Sequence, residues 1–223
     1  MDKPFVFRMP AEALDATIDA GFNLFGLANN HGGDYSSRGV LDTIANLAAV
    51  EPSDRVHWAG AGTTLAEAAA PVVFEVAGMK IAFASCGIGY DVRSFAAGTA
   101  HVRDVDTVIA ALKAADADLR IIAIHDGTEL ALQPTARVLA AARKATEAGI
   151  DLVHGHHPHV VEGIARHAGG LILFSMGNFA LRGAANMGSK GVDKDFGLVV
   201  RLTIDPVAHR FTSIEALPIT DMH

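Results

Sequence analysis

A single cysteine, Cys86, excludes an intramolecular disulfide, and its place in the apolar run Ile81-Ala82-Phe83-Ala84-Ser85-Cys86 makes it a structural thiol rather than a nucleophile. Basic charge is scarce as well: 18 Lys and Arg stand against 25 Asp and Glu, a net charge of −7. That balance excludes the basic stripe with which nucleic-acid binders neutralise phosphates. Uninterrupted apolar runs long enough to cross a bilayer are lacking, and Met1-Asp2-Lys3-Pro4 has none of the pattern of an export signal, so the expectation is a soluble, cytoplasmic chain. No like-charge block, internal repeat or linker divides the sequence. What it has in plenty is apolar surface, 50% of 223 residues, enough for one large domain over residues 1–223.

Periodicity sorts that surface into alternating elements. Pro10 opens a helix carrying Ala13, Leu14, Thr17 and Ile18 on one face and stopping at Gly21. Phe22 to Leu27 reads as a short buried strand. A loop from Ala28 follows, then a helix from about Arg38 to Val50, capped by Ser36 or Ser37, with Val40, Leu41, Ile44, Leu47 and Ala48 inward. Residues 58–62 read as irregular, Thr64 to Ala69 as a short helix, and Val72 to Val76 and Met79 to Ser85 as a hairpin. Helices capped at Asp104 and opened by Pro134 flank the strand Leu119 to Ile124, and Ile150 to Val153 forms another strand. Beyond residue 160 the helices give way to successive strands at Val160 to Ala165, Leu171 to Ser175, Gly197 to Ile204 and Phe211 to Leu217, with a glycine-rich loop from Ala180 to Lys194. Such a pattern belongs to a layered α/β fold with a mixed sheet or two packed sheets.

Histidines gather where hydrophobic runs stop. Four of the eleven lie in Leu152-Val153-His154-Gly155-His156-His157-Pro158-His159-Val160; His31 ends Leu27-Ala28-Asn29-Asn30-His31, and His125 ends Ile121-Ile122-Ala123-Ile124-His125. In an open α/β sheet, side chains just past the strand ends converge on one edge, so the three points can meet in a histidine-rich metal site. Neutral imidazoles are the usual ligands of zinc and similar ions, and Pro158 stiffens the offset between His156 and His159. Each point also has a structural reading without chemistry: hydrogen-bonded loop histidines at 154–159, a core histidine at 125, and an Asx turn at 29–34. Glu129 is equally open as ligand, general base, orienting carboxylate or solvated loop residue.

Five ordered stretches carry a resemblance: Leu27-Ala28-Asn29-Asn30-His31 with Asp34 and Gly39; Gly60-Ala61-Gly62; His125-Asp126-Gly127-Thr128-Glu129; Gly149 to Val160; and Ser175-Met176-Gly177-Asn178-Phe179. Together they resemble the bacterial capsule synthesis protein family, the CapA or PgsA group linked to poly-γ-glutamate, over roughly positions 4 to 180. The family resembles the calcineurin-like metallophosphoesterases, which implies an α/β/β/α sandwich with mixed sheets and a site for one or two divalent ions of zinc, manganese or iron.

The resemblance implies metal ligation by Asn30, His125, His156 and His159, and a catalytic set of His31 as acid or transition-state stabiliser with Asp34 and Glu129 supporting it. It assigns no ligand role to His154 and His157, which are expected to shape the loop. Relatives carry a Gly-Asp strand and acidic ligands well before the Asn-Asn-His motif, and the stretch ahead of Asn30 has neither. Three histidines and Asn30 suffice for one ion with an open position, whereas a second ion about 3.5 to 4 Å away needs a bridging anion. The implied function is a metal-dependent hydrolase of a phosphoester or γ-glutamyl amide, on a small-molecule or polymer substrate, in a chain able to form homo-oligomers. The rivals are a non-catalytic polymer-binding or assembly subunit and a metal-free isomerase using the histidines as acid and base. Family relatives are often associated with the cell envelope.

Overall fold

The computed structural model describes residues 5–179 and 196–220; the expected loop at 180–194 lies outside them. The chain forms two compact units interleaved in sequence, one of residues 1–74 and 82–116, the other of 75–81 and 117–223.

In the first unit, α1 (Glu12–Asp19) and α2 (Ser36–Ala48) are amphipathic and bury Leu14, Ile18 and Leu47 with Val50 and Val56, while Phe25, Leu27 and Trp58 pack against this cluster. The last three belong to the parallel pair β1 (Leu24–Gly26) and β2 (His57–Ala59) and its exit, so helices cover strands as their apolar spacing requires. The segment expected to be irregular at 58–62 therefore contains the end of β2 and also β3 (Ala61–Gly62). Three- and two-residue strands are too short to show alternation in sequence. α3 (Leu65–Ala69) is capped by Thr64, whose hydroxyl accepts from Glu67 N. Next come β4 (Val72–Val76) and β5 (Met79–Gly87), then β6 (Gly98–Thr99), antiparallel to β3, and α4 (Val105–Ala114).

Two capping expectations fail for a shared reason, since the polar side chain is engaged elsewhere. Ser37 exchanges hydrogen bonds with the backbone of Ala97, leaving α2 without a side-chain cap, and Asp104 pairs with Arg93 at 2.9 Å. Leu41 and Ala48 are exposed where an inward face was expected, because the buried stripe of α2 narrows to Val40 and Leu47. Cys86 is fully buried, as its surroundings implied.

The second unit holds β7 (Leu119–His125), α5 (Ala136–Glu147), β8 (Leu152–His156), β9 (Val161–His167), β10 (Gly170–Met176), β11 (Gly197–Asp205) and β12 (Arg210–Ile219). Within this unit the mixed sheet carries β7, β8, β10 and β9 side by side in that order; β7, β8 and β10 are parallel, and β9 returns antiparallel to β10. Only the turn between β4 and β5 and the residues flanking it belong to this unit. α5 packs against β8, β9 and β10. The β11–β12 hairpin supplies Leu198, Val200, Leu202, Phe211 and Ile214, which pack on Leu152, Leu171, Leu173 and Met176 of β8 and β10. Helix, mixed sheet and hairpin thus pack on one another in the layered α/β manner the pattern implied. One boundary shifts: β8 runs on to His156, so His154 and His156 are strand residues rather than loop residues.

Candidate functional site

In the first unit the chain leaves β1 through Asn29-Asn30-His31-Gly32-Gly33-Asp34. The Asx turn is there: Asn29 Oδ1 accepts from His31 N at 2.8 Å. It does more than turn the chain, for it aims the His31 ring at Asp34. Asp34 Oδ2 lies 2.6 Å from His31 Nδ1 and accepts from Phe7 N at 2.9 Å; the carboxylate is 1% exposed and the imidazole 32%. A carboxylate at that distance holds the proton on Nδ1 and leaves Nε2 as the working nitrogen, the orientation a general acid or base requires. The Phe7 ring meets His31 edge-on at 4.5 Å. Small residues make the packing possible. A Cβ on Gly33 would stand 2.0 Å from Tyr90 Cγ, and one on Gly89 would stand 2.4 Å from Asn29 O. Asn30 is half-buried in the same loop. A cavity of about 690 Å³ opens beside it, lined among others by Phe7, Asn29, His31, Tyr35, Arg38 and Asn46.

In the second unit, parallel register sets His125, the last residue of β7, opposite His156, the last of β8. Paired residues share a face, and so do residues two apart on a strand, so His154 joins them. Ring centroids are 6.3 Å apart for His125 and His156, 4.1 Å for His154 and His156, 5.1 Å for His125 and His157, and 6.3 Å for His157 and His159. Gly155 keeps the strand this close to β10, where a Cβ would stand 1.9 Å from Phe174 O.

Burial pushes the His154 imidazole down to about 4, and burial, then the charges of His154 and His125, hold His156 well below its ordinary value. Both rings are neutral at neutral pH.

Beyond the strands the two loops are tied together, Asp126 N donating to His156 O at 3.1 Å and Leu130 N to Pro158 O at 2.8 Å. Asp126 has a wholly enclosed carboxylate, which accepts from Arg137 Nε and Nη2, both at 2.6 Å, and from Gly127 N at 2.8 Å. It anchors the loop after His125 to α5 and is thereby turned away from ligation. His157 and His159 sit at φ of +103° and +63°, a backbone region L residues rarely adopt, so the loop stores strain where its histidines are presented. His159 Nδ1 contacts Asn178 Oδ1 at 2.7 Å. Glu129 is exposed and makes no ion pair among the described residues.

Whether these side chains suit a metal is answered in two parts. Neutral imidazoles are the ligating form, so the donor chemistry fits a borderline divalent ion. With nitrogen about 2.0 to 2.1 Å from the ion, two imidazoles sharing it have centroids roughly 5 to 6 Å apart. The His125–His157 separation of 5.1 Å meets that pairwise and the 6.3 Å between His125 and His156 lies just beyond it, while no three His, Cys, Asp or Glu residues among those described form a complete cluster.

The structure therefore brings His31 together with Asp34, and His125 together with His154, His156 and His157. Sequence reasoning gave no role to Asn178, Asp126 or Phe7. Asn178 and Asp126 stand inside the quoted motifs and were findable there, whereas nothing local marks Phe7.

The family model of the bacterial capsule synthesis protein PGA_cap matches residues 1–182. The chain belongs to that family. Among its relatives, the capsule biosynthesis protein CapA of Bacillus anthracis is 30% identical over 192 residues, which cover 80% of this chain and 44% of that protein. The PGA biosynthesis protein CapA of Bacillus subtilis is 30% identical over 185 residues, covering 80% and 47%. A probable polyglutamine synthesis accessory protein of Mycobacterium tuberculosis is 27% identical over 233 residues, covering 97% and 60%. The chain thus spans about half the length of the CapA proteins it matches. The fold is that of a solved structure described as a novel phosphatase from Mycoplasma pneumoniae, with TM-score 0.60 and 20% identity over 94% of this chain and 76% of that one. A hypothetical protein from Thermus thermophilus matches at TM-score 0.58 and 15% identity, covering 94% and 81%. This family member therefore has the mixed α/β, phosphatase-like fold that its motifs implied.

Proposed function

We propose that this chain is a metal-dependent hydrolase serving capsule or poly-glutamate biosynthesis, cleaving a phosphoester or a γ-glutamyl amide. The observation that carries the reading is the in-register placement of His125 and His156 at the carboxyl ends of adjacent parallel strands, the edge where open α/β sheets bind their ligands. The family and the phosphatase-like fold support it. His125, His156 and His159 are the donors assigned to a zinc, manganese or iron ion. When bound, such an ion supplies Lewis acidity and an activated water.

The protein's own groups divide the remaining work. His31 is assigned, from its place in the family motif, the role of protonating a leaving group from Nε2. Asp34 keeps the imidazole oriented and balances its positive charge while Nε2 is protonated. Asp126, held by Arg137, fixes the loop that follows His125. No helix among the described residues is long and apolar enough to cross a membrane.

Metal analysis of the purified protein, paired with turnover of p-nitrophenyl phosphates and poly-γ-glutamate, tests the assignment. His125→Ala and His156→Ala are expected to lose both metal and turnover, and His31→Ala to lose turnover while keeping the metal. A folded wild-type protein that holds no metal and cleaves neither substrate refutes the hydrolase and leaves the polymer-binding or assembly role and the metal-free isomerase.

A further inference from the structure

The last motif ends on Asn178, just past β10, and its side chain is given over to a single contact. Its Oδ1 lies 2.7 Å from His159 Nδ1, while its buried Nδ2 has no hydrogen-bond partner among the described residues. The residue is 7% exposed, so the amide has no solvent route to an alternative partner. Its backbone is equally confined. Gly177 adopts φ of +71°, and a Cβ on Gly197 would stand 2.0 Å from Asn178 O, so only a glycine lets β11 begin there. On the other side of the contact, His159 occupies the left-handed region at φ of +63°, a conformation that persists only where its surroundings impose it.

An amide oxygen accepts and never donates, so the nitrogen facing it must carry a hydrogen. We propose that Asn178 is a positioning residue that holds His159 in the tautomer protonated on Nδ1, so that Nε2 keeps its lone pair and presents it in one fixed direction. A ligand histidine needs that restraint from its other ring nitrogen, and Asn178 provides it from a strand end that is remote in sequence. The purpose of the restraint rests on the metal reading above; the tautomer does not.

Long-range ¹H–¹⁵N spectra of the histidine rings in metal-free protein read the tautomer directly, with His159 assigned by the peaks lost in His159→Gln. The wild type is expected to show His159 protonated on Nδ1. Asn178→Ala releases that preference and weakens zinc binding about 10- to 100-fold in a competition titration. Asn178→Asp keeps an acceptor in place and restores both, which a purely structural asparagine would not predict. Should Asn178→Ala fail to fold, the wild-type spectrum and Asn178→Asp still decide the question. A wild-type His159 protonated on Nε2 overturns the proposal, and so does a folded Asn178→Ala that keeps the wild-type tautomer. A wild type with the expected tautomer that binds no zinc refutes the metal reading alone.

Discussion

Replacing Glu162 by glutamine should make the protein more stable at pH 8 and leave it nearly unchanged at pH 5. Glu162 lies on β9 with Oε1 enclosed and without a hydrogen-bond partner among the described residues, and burial pushes its carboxyl up to about 7 from an ordinary 4.5. An acid whose folded value lies above its unfolded one binds its proton more tightly in the folded chain. Its stabilising contribution is therefore fully present below about 4.5 and is lost as the pH rises through about 7. That interval corresponds to about 3 kcal/mol at roughly 1.4 kcal/mol per tenfold. The side chain keeps part of its solvent contact, which reduces the expectation to about 1 to 2 kcal/mol. For a chain of this size, each kcal/mol moves the midpoint by about 2 to 4 °C. Thermal unfolding followed by circular dichroism, wild type against Glu162→Gln, should thus show the variant melting about 2 to 8 °C higher at pH 8. Equal shifts at the two pH values, or a wild type that melts higher at pH 8, would refute the claim that an ionised carboxylate is poorly accommodated there.

Arg137→Ala strands the enclosed Asp126 carboxylate and should cost about 1 to 3 kcal/mol in urea unfolding, with Arg137→Lys recovering only part because the contact is two-pronged; an unchanged midpoint would show that water takes the arginine's place. Gly155→Ala drives a Cβ onto Phe174 O, a backbone atom with nowhere to go, and soluble expression should collapse; a folded alanine variant would contradict the spacing of β8 and β10. Asp34→Asn keeps the volume but removes the charge behind His31. Turnover should fall by about 10²- to 10⁴-fold with metal content unaltered, and full activity would remove His31 from acid–base chemistry.

Most elements were legible because hydrophobic spacing and capping chemistry agree locally. Leu14 and Ile18 mark α1, Thr64 caps α3, and the apolar run to His125 is β7. The failures have physical causes that local reading does not reach. Ser37 is a good capping residue by type, yet Ala97, sixty positions away, engages its hydroxyl. The extension of β8 through His156 is specified by its neighbours β7 and β10 rather than by its own composition, since His-Gly-His has little strand propensity. At the site, the motifs pointed to the right positions but not to the division of labour. Asp34 proves to be the closest partner of His31, whereas Glu129, drawn from the same family pattern, stands exposed on its loop. Phe7 could not be read at all, because its contacts with Asp34 and His31 depend on where the chain passes rather than on any pattern around it.

The strand that carries Leu152, His154 and His156 ties two decisions to one another. Leu152 points to the side where the β11–β12 hairpin packs, and strand parity sends both imidazoles the same way. Insertion or deletion of one residue between Leu152 and His154 would put leucine and histidines on opposite faces, whereas an insertion of two would keep them in step. Evolution can lengthen or shorten this approach to the histidines only in even increments, so a pressure on core packing that has nothing to do with chemistry also protects the direction in which the chemistry faces.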